Sequence, residues 1–346
     1  MARATSSNTE NVCFDRVLPR DLFRPQALAP PRGGRVRAIA PIGKTWMNGS
    51  VLHVRFLGGT PAQRALVREQ AGWWTEVANL QFVFDDSPQA EIRIAFDPAD
   101  GAWSYVGTDC RGIPSAEPTM NLGFTDGGTT AHEFGHAIGL AHEHQNPAGG
   151  IVWNEPVVIA ALAGSPNFWD EATVRHNVLD KYRFDQVKGT QFDPESIMLY
   201  FFPASWTLNG VGTVANEVLS ATDKSFIAGA RMYPRPGPVV DDATALVVGA
   251  RTRTTASIGA LGEEDLFTFT AATDGRYVID TRGPTNVVMK LFGPDSPTAL
   301  VAEDDDSGYA ANARIARGLT AGRYWVQIRH AVAGGTGSYS IRVRLV

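Results

Sequence analysis

Residues 132–142 read HEFGHAIGLAH, in the pattern H-E-x-x-H-x-x-G-x-x-H. On a helix, residues four apart lie one turn above each other, so His132 and His136 present ring nitrogens to one point. Glu133 starts on the same turn, beside that point. Gly139 is the residue type that lets a backbone leave a helix with positive φ. The chain can then swing back and deliver His142 as a third ligand. Three protein ligands with one position left open describe a catalytic zinc rather than a structural one. A lone histidine on an apolar helix face is more often a hydrogen-bonded core residue. Here three of the seven histidines of the chain fall within one short pattern, and that concentration argues for zinc.

Composition permits such an enzyme without pointing to it. The chain has 346 residues, enough for two domains, with 44% hydrophobic and 19% charged residues. Its net charge of −5 gives no reason to expect a nucleic-acid partner or an anionic membrane surface. No apolar run approaches the ~20 residues of a membrane span. The opening MARATSSNTENVCFDR has no apolar core, so no Sec-type signal peptide is visible. Two cysteines, Cys13 and Cys110, cannot build a disulfide framework.

Three regions are expected. Residues 1–36 are polar and rich in Pro and Arg, and read as an irregular arm. Residues 37–233 are globular in texture. Within them Val51–Phe56, Phe82–Phe84, Glu91–Phe96, Trp103–Val106 and Thr119–Leu122 read as strands of a mixed sheet. Thr60-Pro61 supplies an N-cap and first-turn proline for a helix whose Leu66, Val67, Trp73, Trp74 and Val77 belong to the core. Residues 234–240 form a Pro-rich linker. Residues 241–346 change to short alternating strands, among them Leu266–Thr270, Arg276–Asp280, Val287–Phe292, Tyr324–Ile328 and Ser338–Val343, the pattern of a β-sandwich. The fold class is therefore α+β, a zinc-site domain followed by an all-β sandwich.

The region from about 44 to 233 resembles the catalytic domain of an astacin-type metzincin endopeptidase. The residues that carry the likeness are Trp103-Ser104-Tyr105-Val106-Gly107, His132 through His142 continuing into Glu143-His144, and Ser196-Ile197-Met198-Leu199-Tyr200. The resemblance implies one Zn²⁺ held by His132, His136 and His142, with Glu133 as general base and then acid. It also implies Met198 as an apolar floor beneath the metal and Tyr200 as a donor to the oxyanion. The substrate implied is a protein or peptide, held along the edge strand near Trp103–Gly107, and a monomer is expected. Two departures stand out. Astacins usually carry two disulfides in this domain, and Gln145-Asn146-Pro147 replaces the usual arginine-containing continuation.

The second domain resembles the bacterial pre-peptidase C-terminal (PPC) domain, through Gly262–Phe267, Leu291–Asp295, Glu303–Asp306 and Ala321–Tyr324. That resemblance implies a secreted bacterial protein, against the missing leader. The acidic run Glu303–Asp306 offers hard oxygen ligands for Ca²⁺, although its spacing is not that of an EF-hand and a solvated turn is the simpler reading. Arg175, Lys181 and Arg183 are charges for either a substrate pocket or the surface. Cys13 has three readings. As a thiolate on the arm it could fill the open zinc position, a role for which Asp15 is the rival by resemblance; it could bridge to Cys110; or it is inert. Cleavage near Arg37-Ala38 would release the arm, and the new amino group would pair with Glu143, as the resemblance implies. Two other functions fit the motif: a catalytically inactive zinc protein that binds peptides or matrix, and a cell-wall peptide amidase or carboxypeptidase.

Overall fold

The computed structural model describes residues 14–16 (backbone) and 38–346, except 165–166, 184–185, 190, 200, 230–231, 235–242, 261–262, 311 and 333–334. Cys13, Tyr200 and most of the expected linker lie outside the described residues.

The first sheet has six strands in the order Phe14–Arg16, Ala102–Tyr105, Met120–Leu122, Ile92–Ala95, Val51–Phe56, Gln81–Phe84. It is mixed, as expected: Ala102–Tyr105 runs antiparallel to Met120–Leu122, and the other pairings are parallel. The helix Pro61–Thr75 begins where the sequence signals it. Thr60 accepts from the Gln63 amide and the Gln63 side chain returns to the Thr60 amide, a reciprocal cap with proline in the first turn. Its apolar stripe, with Val67, Ala71 and Trp74 fully buried, meets Phe134 and Ile138 and the sheet residues Leu52, Val54, Ile92, Ile94, Met120 and Leu122. Trp74 Nε1 also donates to the carbonyl of Ala131 at 2.7 Å. This bond ties the long helix to a second helix, Thr129–Ala137, which bears the histidines.

A separate core is built by two layers, antiparallel except where Thr244–Ala245 runs parallel to Glu264–Ala271. One has four strands (Thr254–Ile258, Gly337–Leu345, Gly275–Arg282, Arg314–Leu319), the other five (Leu300–Asp304, Val287–Phe292, Gly322–His330, Glu264–Ala271, Thr244–Ala245). Alternation along Gly337–Leu345 buries Tyr339, Ile341 and Val343 and leaves Ser340, Arg342 and Arg344 outward. The acidic run ends the strand Leu300–Asp304 and bends from Asp305 on, where Asp304 accepts from the amides of Ser307 and Arg314.

Replacing Trp74 by alanine removes the largest side chain at the joint between the two helices. The expected loss of unfolding free energy is about 3–5 kcal/mol, measured by urea denaturation followed by tryptophan fluorescence and circular dichroism. A loss below ~1 kcal/mol would contradict this placement of the core.

Candidate active site and metal centre

The helix Thr129–Ala137 ends in a geometry that aims the third histidine. The amide of Leu140 bonds the Gly135 carbonyl at 2.9 Å and that of Gly139 bonds the His136 carbonyl at 2.8 Å. This is the paired hydrogen-bond pattern of a left-handed helix terminus, with Gly139 at φ +100°. A Cβ on Gly139 would also stand 3.3 Å from the Cα of Thr45. The chain reverses there and returns His142 to the helix face.

The rings converge through their Nε2 atoms. His136 Nε2 lies 3.1 Å from His132 Nε2 and 3.0 Å from His142 Nε2. The opposite nitrogens face carbonyls, His132 Nδ1 at 2.7 Å from Ile197 O and His136 Nδ1 at 2.9 Å from Leu140 O. A carbonyl only accepts, so both Nδ1 atoms carry hydrogen and both neutral rings turn lone pairs inward. Lone pairs at this separation repel unless a cation lies among them. All three residues are buried, and among the described residues they are the one group of three or more side chains arranged to hold a metal. Donor type, tautomer and convergence fit zinc.

Glu133, fully buried, sits on the same helix and lines with His132 a cleft of about 270 Å³ that also takes in Phe124, Leu199, Phe201 and Glu217. Arg175, Lys181 and Arg183 do not line it. Arg175 pairs with Glu155 and Glu171, and Lys181 donates to the carbonyls of Gly149 and Ile151. His144 also stays out of the metal group; its Nε2 lies 2.8 Å from Asn177 O.

The floor of the site depends on residues the motif does not contain. Gly135 leaves room for Met198, whose sulfur occupies the space a Cβ would need. The Ser196–Met198 segment is held by Asp223, fully buried, which accepts from Ser196 Oγ at 2.7 Å and the Ile197 amide at 2.8 Å. Asp223 thus fixes the residue whose carbonyl orients His132. The Ser220–Asp223 capping box was the one local signal for it. Trp46 Nε1 donates to Ala137 O at 2.8 Å and Tyr233 Oη to Ile138 O at 2.6 Å, so the last carbonyls of the helix are satisfied from distant chain segments.

Residues 38–224 match the profile of Astacin, a peptidase family. The chain belongs to the astacin family. Among its astacin relatives, the zinc metalloproteinase nas-30 of Caenorhabditis elegans is 29% identical over 117 residues, 34% of this chain and 15% of that protein. Astacin-like metalloprotease toxin 5 of Loxosceles gaucho is 30% identical over 101 residues, 29% of this chain and 51% of the toxin. The chain thus matches about half, or much less, of the length of these curated relatives. The solved structure of myroilysin is 40% identical, covers 57% of this chain and 100% of its own, and superposes with a TM-score of 0.55.

The second cysteine takes no part in a bridge. Cys110 is buried and free, so the Cys13–Cys110 disulfide is not formed. Burial pushes its thiol up to about 12, because desolvation penalises the thiolate. In protein carrying Cys13→Ser, iodoacetamide at pH 8 is expected to label Cys110 only after denaturation. Rapid labelling of the folded protein would refute that placement.

Replacing Gly139 by alanine forces a side chain into the left-handed region and against Thr45. The expected outcome is a stability loss of about 1–2 kcal/mol together with weaker zinc retention on dialysis against a chelator. Unchanged retention would show that the turn does not position His142.

Proposed function

We propose that residues 37–233 form a zinc-dependent endopeptidase that hydrolyses internal peptide bonds, and that residues 241–346 are a PPC-like accessory domain. The observation that carries this reading is the convergence of three Nε2 atoms, one of them on His132, which lines a cleft together with the buried Glu133. His132, His136 and His142 would hold the ion. Zinc, when bound, polarises the scissile carbonyl and makes a water acidic enough to attack near neutral pH. Glu133 removes the proton of the attacking water and later passes it to the leaving amine. Tyr200, outside the described residues, takes the role of oxyanion donor by resemblance. An extended substrate segment bonds along Ala102–Tyr105, the strand that would be the sheet edge without Phe14–Arg16.

That edge gives the N-terminal arm its role. Phe14–Arg16 pairs in parallel with Trp103–Tyr105, Asp15 opposite Ser104. A segment paired there blocks substrate from adding to the same edge, which supports a latent form with Cys13 or Asp15 next to the metal. Glu143 would receive the new amino group after cleavage near Arg37-Ala38. Its Oε2 is buried without a partner, and the nearby Ala141 amide already bonds Ile39 O at 3.1 Å. Secretion remains part of the proposal; among the described residues no helix is long and apolar enough to cross a membrane.

Casein cleavage by the purified chain, by the chain lacking residues 1–37, and by each carrying Glu133→Ala tests the reading. Truncation is expected to raise activity at least tenfold, with internal fragments. Glu133→Ala is expected to lower it at least a hundredfold with zinc content unchanged. Zinc binding without cleavage in the truncated protein would favour a peptide-binding role instead, and release of terminal residues alone would favour a carboxypeptidase.

A further inference from the structure

The sandwich meets the catalytic region through one face of its five-stranded layer. Strand alternation puts Lys290 and Phe292 on the same side of Val287–Phe292, opposite Gln327 and Trp325 of Gly322–His330, with Arg329 one register step beyond. Phe292 and Trp325 cluster with Met47. Lys290 Nζ donates to Gly43 O at 3.2 Å, and the Arg111 guanidinium lies 5.1 Å from the centroid of the Phe292 ring. A Cβ added to Gly43 would stand 2.9 Å from Arg329 Nε. Three cations from two separately built regions therefore gather around one loop.

Beside these contacts is a cavity of about 570 Å³ lined by Lys44, Asp109 and Arg111 on one side and Lys290, Glu303 and Arg329 on the other. Its charges do not balance. Lys44 is paired with Asp109 at 2.5 Å, and Glu303 faces Lys290 across the strand pair. Among the described residues no carboxylate forms an ion pair with either arginine, and Glu91 acts on Arg111 only at longer range. Among the described residues Arg111, Lys290 and Arg329 form no ion pair, and Arg111 Nη1 and Arg329 Nε are buried without an acceptor. Desolvation pulls the Arg111 guanidinium down to about 10, and the attraction of Glu91, which forms no ion pair with it, offsets only part of that effect. Buried charges are ordinarily paired, and a guanidinium fork matches the oxygens of a phosphate or carboxylate.

We propose that this cavity binds a small oxyanion, a phosphate or a carboxylate-bearing molecule, held by Arg111 from the catalytic side and Arg329 and Lys290 from the sandwich. The ligand bridges the two regions and stabilises their contact by its binding free energy. The proposal is independent of the proteolytic reading and is tested without activity.

Isothermal titration of the full-length protein with inorganic phosphate, and separately with citrate, at ionic strength held constant with sodium chloride, reads the site. Saturable binding of one equivalent of either anion is expected, and the anion that binds identifies the source of the oxygens. Arg111→Gln and Arg329→Gln, on opposite walls, are each expected to weaken that affinity at least tenfold. Arg317→Gln removes the same charge from an exposed position on the four-stranded layer and is expected to leave it unchanged. Arg111→Lys, which keeps the charge and loses the fork, serves if a glutamine variant fails to fold and is expected to weaken binding as well. Absence of binding beyond that of chloride, or binding that survives at both arginine positions, would overturn the proposal.

Discussion

Two backbone carbonyls, those of Ile197 and Leu140, determine what the histidines can do. Each takes the Nδ1 hydrogen of a ring, of His132 and His136 respectively, and leaves the Nε2 lone pair facing inward. Without those acceptors each ring would be free to choose its tautomer and rotamer, and convergence would be one arrangement among several. The constraint reaches outward from there. Ile197 is held by Asp223, and Leu140 by a helix terminus that only a residue tolerant of positive φ can make. The metal centre is a consequence of backbone placement before it is a consequence of three histidines.

That placement explains why the surrounding polar groups are buried. Asp223, Ser196, Asp193 and Glu143 are nearly inaccessible yet linked by hydrogen bonds: Ser220 Oγ to Asp193, the Asp193 amide to Glu143, and Asn146 Nδ2 to Glu143. Buried carboxylates are tolerable because each accepts several N–H or O–H donors. Burial still pushes the Glu143 carboxyl up to about 8, against the lowering effect of those hydrogen bonds. The network joins the Met198 segment, the chain after His142 and the helix Ala221–Ile227, so the floor of the site is tied together by hydrogen bonds.

Much of this was legible in the sequence where the signal is local. The spacing of His132, His136 and His142 needs only helix periodicity and one glycine. The start at Thr60-Pro61 needs only capping chemistry, and the sandwich strands with strong alternation declared themselves. What escaped has a common cause. Trp46 and Tyr233 meet the helix end from 91 and 95 positions away, and no local pattern encodes such contacts. Thr254–Ile258 and Arg314–Leu319 are polar strands whose order comes from their neighbours rather than from their own composition. Phe14–Arg16 lay within a region read as irregular, because three residues show no period. The charge imbalance at Arg111 and Arg329 is invisible until two regions far apart in sequence are packed together.

A crystal structure of the protein with anomalous data on either side of the zinc absorption edge would locate the metal against the three histidine rings. One strong zinc peak is expected, about 2.0–2.1 Å from the Nε2 atoms of His132, His136 and His142, with both Nδ1 contacts to carbonyls retained. A peak elsewhere, ligation through Nδ1, or no peak from zinc-saturated protein would contradict it.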